Sequence, residues 1–201
     1  MTPSRATPFD DPRRRLEAGT LGMWVFLVVL AVFFASAMIA FVVVRLEVGS
    51  TSDWSRHGDP RLPSILLAST AVLAASSVSM WLAQRRVARG DSPRRDLIVT
   101  LWLGAGFLLL QGIAWRDLWS RGLLPTTDLY GWTFYVLTGM HAAHLVGGLI
   151  ALGWVLGRPE PAVPEIRIGG VRLAGMYWHF LGVAWVAFYG LLAWSQGTGG
   201  A

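Results

Sequence analysis

The chain has no cysteine and no lysine. Without cysteine there is no disulfide, no thiolate metal site and no covalently attached c-type haem. Without lysine there is no Schiff-base chemistry and no phosphate-loop cation. All 17 cationic side chains are therefore arginine. Charge is scarce too: 14% of the residues are charged against 54% hydrophobic, a balance that soluble domains rarely show. The long apolar runs hold no Asp or Glu at depth. Proton relays through membranes usually use carboxylates, which argues against a proton pump built on this chain alone.

What is present is length and apolarity. Crossing the hydrocarbon core takes about 20 apolar residues. Five stretches qualify: Leu21 to Val44, Pro63 to Ala83, Leu97 to Trp115, Trp132 to Leu156 and Leu173 to Trp194. The first is too long for a cleaved signal peptide and lacks a small-residue cleavage site after it. Residues 1–18 read as a disordered cytoplasmic tail, 19–196 as a five-helix transmembrane domain and 197–201 as a short tail. The segment "RPEPAVPEIRIGG" is proline-rich and charged, the composition of a surface connector. The remaining loops are too short for a soluble catalytic domain, and no inverted repeat of the transporter kind is evident.

The net charge of +5 would suit nucleic acid, but the arginines lie between the apolar runs and read as topology signals. Arg5, Arg13, Arg14, Arg15, Arg85, Arg86, Arg89, Arg94, Arg95, Arg158, Arg167 and Arg172 fall on one side. Arg45, Arg56, Arg61, Arg116 and Arg121 fall on the other. This bias predicts an N-terminus in the cytoplasm and a C-terminus outside. Trp81, Trp115, Trp132, Trp154 and Trp194 lie near span ends and suit an interfacial belt. The expected fold class is all-α, an integral membrane bundle of five transmembrane helices.

The embedded polar residues are few: Gln111, Thr138, His141, His144 and His179. His141 and His144 are three apart and share one helical face. A haem needs two histidines on different helices at one depth. His144 lies about 18–20 Å below the start of its span, and His179 roughly 9 Å from the start of the next. Across a core of about 30 Å, the two come near the same level. The structural alternative is that neutral imidazoles stitch the fourth and fifth helices to each other or to another subunit. The second span, "PSILLASTAVLAASSVSMWLA", is crowded with Ala, Ser and Thr, which suits close helix packing. The same argument applied to Gly139, Gly147 and Gly148 predicts a packed face on the fourth helix.

Taken together, the motifs resemble the haem-copper oxidase subunit III family, in its five-span form. "YGWTFYVLTGMHAAHLVGG" carries Phe134, Tyr135, Leu137, Thr138, Gly139, His141 and His144 at the family spacing. "YWHFLGVAWVAFY" is similar to the family's last-span signature, at Tyr177, Trp178, His179 and Phe180, with Trp185 following. Gly22, Met23 and Trp24 match in the first span. Thr70, Leu73, Ser76 and Ser77 match in the second, with Ser69 in the family's Asn place. Gly104, Phe107, Gln111 and Trp115 match in the third. The likeness runs in order over about residues 20–195.

The resemblance implies a subunit with no catalytic, cofactor-binding or metal-binding residues of its own. It would pack against the catalytic subunit I and other oxidase subunits of a bacterial inner membrane. It would also bind phospholipid and support proton uptake, while haem and copper sit in the partner. In three places the family usually has an acid and this chain has Leu30, Ala114 and Gly182. Each replacement lowers the cost of burial and removes a basis for acid-dependent proton effects. Two alternatives stand beside this reading: an accessory subunit of a nitric oxide reductase, and a b-type membrane cytochrome using His144 and His179.

Overall fold

A computed structural model describes residues 12–48, 62–126, 129–157 and 164–197. They form five helices: α1 (Pro12–Val48), α2 (Ile65–Ala88), α3 (Arg94–Ser120), α4 (Leu129–Gly157) and α5 (Pro164–Gly197). All five are long and apolar enough to cross a membrane, and no strand occurs among the described residues.

Each helix contains its expected span, apart from Pro63 and Ser64 ahead of α2, and overshoots it. The reason is that apolarity ends where lipid ends, whereas helix propagation does not. Arg and Gln are good helix formers, so α2 continues through Gln84, Arg85 and Arg86. Two expectations are corrected by the same effect. Residues 12–18, assigned to a disordered tail, belong to α1, and residues 164–170 of the assigned connector belong to α5. Both helices open on proline, whose fixed φ and missing N–H suit the first helical position. Residues 1–11 and 198–201 of the two tails, and residues 158–163 of the connector, lie outside the described residues.

Glycine ends α2 and α3. Gly90 and Gly122 take φ of 88° and 84°, a region that L side chains rarely adopt. After α3, the Gly122 N–H donates to the Trp119 carbonyl at 3.1 Å and the Leu123 N–H to Leu118 at 3.1 Å. Leu118 and Leu123 are both buried, giving the apolar contact that accompanies this stop. Gly90 and Asp91 close α2 in the same way, on the carbonyls of Val87 and Arg86.

The short turn makes α2 and α3 antiparallel neighbours. Small side chains let them approach: Ser69, Ser76, Ser79 and Ala83 are buried along α2. The Ser79 hydroxyl donates to the Asp96 carbonyl at 2.8 Å, and Arg86 Nε lies 2.7 Å from Asp96 Oδ2. α5 packs against α1, α2 and α4, while α3 packs against α2 and α4. α1 leans on α5 and touches α4 lightly. Its outer side, including Trp24, Val28, Val29 and Val32, is exposed.

Candidate functional site

Many of the residues singled out in the sequence join neighbouring helices, α3 to α4 and α2 to α5. The links are made chiefly by indole N–H groups meeting hydroxyls. Trp115 Nε1 on α3 donates to Thr138 Oγ1 on α4 at 3.1 Å. Trp178 and Trp185 on α5 donate to Ser76 Oγ and Thr70 Oγ1 on α2, at 3.0 and 2.9 Å. An indole presents one donor and needs one acceptor when buried. Hydroxyls on the facing helix supply it, so signature residues of one span meet those of another.

Tyrosines add two more links. Tyr177 on α5 donates to the His144 carbonyl of α4 at 2.7 Å. The Tyr135 hydroxyl on α4 lies 3.1 Å from the Trp115 carbonyl and 3.3 Å from that of Leu123. Trp115 is thus a cross-link, half-buried, rather than a member of the interfacial belt. Trp81, Trp132, Trp154 and Trp194 are exposed, as a belt position requires.

The histidines differ from one another. His144 keeps to its own helix: Nδ1 lies 2.8 Å from the Met140 carbonyl, which requires Nδ1 to carry the proton. Its ring packs edge-on against Phe34 of α1 at 5.1 Å between centroids. His179 reaches α2, where Nε2 lies 3.3 Å from Gln84 Oε1. His141 is wholly buried, ringed by Phe34, Phe107, Trp185 and Phe188. Neither of its ring nitrogens has a hydrogen-bond partner. Of the three imidazoles expected to join α4 and α5 to each other or to another subunit, none makes an α4–α5 hydrogen bond within the chain. One bonds α2, one bonds its own backbone, and the α4–α5 link is Tyr177. His144 and His179 turn to different neighbours, the His144 ring to Phe34 of α1 and the His179 Nε2 to Gln84 of α2.

The other singled-out residues divide by burial. Phe134, Thr138, Ser76 and Gln111 are buried; Phe180 is half-buried and stacks on Phe34, 6.1 Å between centroids. Ser77 lines a groove of about 540 Å³ between α2 and α5, beside His179 and Gly182. Gly22 has open space around it, and Trp24 is 58% exposed. Of Gly139, Gly147 and Gly148 on α4, only Gly148 is tightly packed: a Cβ there would lie 3.0 Å from Tyr177 Cε1 and 3.3 Å from Trp178. Gly139 has only ordinary contact with Trp115, and Gly147 is exposed. On α3, Gly104 admits the Trp178 ring, which a Cβ would meet at 2.7 Å. Two of the three positions that lack an acid, Leu30 and Ala114, are buried in the core.

Sequence reasoning missed Gln84, Phe34, Phe188 and Arg45. Gln84 sits in "AQRR" and reads as the polar exit of a span. Arg45 reads as a topology signal, yet it is buried and donates from Nε and NH2 to the Ser195 carbonyl at 3.1 and 3.0 Å. It ties the end of α1 to the end of α5. The signal for both was a polar group directly after an apolar run.

An all-helical, multi-pass bundle whose embedded polar groups mostly join helices is a membrane subunit built around packing. Its family is settled by comparison. The cytochrome c oxidase subunit III family model matches residues 15–196, and the chain belongs to that family. The chain is 28% identical to the cytochrome c oxidase subunit 3 of Corynebacterium diphtheriae, over 93% of this chain and 91% of the relative. It is 31% identical to a probable cytochrome c oxidase subunit 3 of Mycobacterium leprae, over 78% of each chain. The Synechocystis cytochrome c oxidase subunit 3 is 30% identical, over 84% of this chain and 72% of that one. The protein is thus a subunit III of a cytochrome c oxidase complex, a haem-copper oxidase of the respiratory chain. These oxidase relatives do not favour the nitric oxide reductase alternative.

Proposed function

We propose that this chain is a non-redox scaffold that packs against the catalytic subunit I and stabilises it during aerobic electron transport. One observation carries the reading: indole, phenol and hydroxyl groups of the signature motifs are used up in links between helices. Groups so committed hold the helices in register and give the bundle a fixed shape. On this reading the chain supplies no catalytic residue, and haem and copper reside in the partner. Phospholipid covers part of the apolar exterior. The bacterial inner membrane is the location, with the N-terminus cytoplasmic and the C-terminus outside, as the arginine bias indicates.

The support for subunit I's proton uptake that the family resemblance implies takes a reduced form here. Leu30 and Ala114 are buried apolar residues where the family usually has acids. The one buried carboxylate among the described residues, Asp96, is held by Arg86. The chain therefore acts on the partner through packing more than through its own protons. Affinity purification through this chain in mild detergent tests the proposal. A haem- and copper-bearing subunit should copurify, and the isolated chain should show no haem absorbance. A haem band from the pure chain, or purification without any haem-bearing partner, overturns it.

A further inference from the structure

We infer that His141 and Gln111 together hold one internal water molecule between α3 and α4. The inference stands apart from the scaffold role, because it rests only on unpaired groups inside the bundle. His141 is 0% exposed and Gln111 is 2% exposed. Both ring nitrogens of His141 and both amide atoms of Gln111 have no hydrogen-bond partner. A neutral imidazole brings one donor and one acceptor, and a primary amide brings two donors and an acceptor. Groups of this kind are seldom left unpaired in a buried site, least of all at membrane depth.

Helical register brings the two side chains to one level. The Trp115–Thr138 hydrogen bond pins α3 against α4 at a shared height. In an antiparallel pair, stepping back along α3 and forward along α4 moves in the same direction. Gln111 is then about 6 Å and His141 about 4.5 Å from that link. Both lie on the buried stripes, Gln111 between Phe107 and Ala114, His141 between Thr138 and Leu145. Phe107, one turn from Gln111, already meets the His141 ring edge-on at 5.8 Å between centroids.

The surroundings leave water as the fitting ligand. The ring neighbours of His141 are aromatic, and the Trp185 N–H is already given to Thr70. Water both donates and accepts, so it can bond an imidazole and an amide that do not bond each other. The site has no acid to relay protons to. The acids on the helix of Gln111 are both paired: Asp117, about 9 Å away along the axis, with Arg121, and Asp96, roughly 22 Å away, with Arg86. The water is therefore a fixed part of the structure rather than a step on a path.

Solid-state NMR of the full chain in lipid, with 15N-labelled histidine, reads this contact directly. The chain has four histidines, and His141→Phe assigns the signal of interest. The expected result is a cross-peak from a His141 ring nitrogen to water, lost in Gln111→Leu while the His144 and His179 signals stay in place. The absence of that cross-peak in the unaltered chain overturns the inference. So does a direct coupling of the ring to the Gln111 amide, or a water cross-peak that survives Gln111→Leu. Should that variant fail to fold, a density map of the whole oxidase decides. A water within hydrogen-bond distance of both side chains is expected there, and a filled protein–protein contact in its place overturns the inference.

Discussion

α1 and α5 are the two longest helices, of 37 and 34 residues, and both look like ordinary lipid-crossing segments. Their roles in the bundle are opposite. α5 packs against α1, α2 and α4 and buries Trp178, Leu181, Trp185, Phe188 and Leu192. α1 leaves most of its apolar side exposed and buries Leu30, Phe34 and Phe41 on one edge. Polar groups separate the two. Along α5, Tyr177, Trp178, His179 and Trp185 each reach another helix. Along the apolar part of α1, Ser36 bonds only its own backbone, at the Val32 carbonyl. Hydropathy measures the preference for lipid over water. Lipid tails are as apolar as Leu, so close packing and interhelical hydrogen bonds decide which helix becomes the centre.

Substitutions can break or sharpen this contrast, each read as the midpoint of thermal unfolding of the full chain in detergent. The largest effect is expected for Trp185→Ala on α5. It empties a site packed on Phe107 and His141 and leaves Thr70 without its donor, a cost of about 3 kcal/mol or more. A variant as stable as the parent would remove α5 from the centre. Gly148→Leu comes next, at about 1–3 kcal/mol, because Tyr177 and Trp178 already occupy the space a side chain would need. Gly147→Leu, one residue away and exposed, is the control that should stay near the parent.

Arg45→Met tests a polar tie between the two helices. Losing both donors to the Ser195 carbonyl should cost about 1–2 kcal/mol and loosen the end of α1. Trp178→Phe keeps most of the ring volume but removes the bond to Ser76, and about 0.6 kcal/mol is expected. The smallest effect belongs to Val29→Ala on the exposed side of α1, within about 0.5 kcal/mol. If that change lowers the yield of oxidase complex without lowering the midpoint, the exposed side of α1 faces another subunit rather than lipid.

The five spans were legible because twenty or so apolar residues in a row have one economical use. The Ala- and Ser-rich second span was legible as a packed helix, and α2 is indeed closely packed against α3. The packed glycine was not: Gly147 and Gly148 are adjacent in sequence, and only Gly148 is packed tightly against α5. One residue is about 100° around a helix, so neighbours in sequence face different surroundings. The histidines differ as fasteners: His179 reaches Gln84 of α2, whereas His141 and His144 both pack their rings on Phe34 of α1 and make no side-chain hydrogen bond to another helix.

Sequence alone determined that this chain lives in a membrane, that it crosses five times and that its motifs are those of an oxidase subunit III. Those properties follow from composition, run length and residue order, which need no neighbour to be read. Only the tertiary structure decided which polar group meets which: Trp185 with Thr70, Trp178 with Ser76, Arg45 with the far end of α5. Such pairs depend on the rotation and register of helices distant in the chain. These are set by packing summed over the whole bundle, and no single stretch carries that sum.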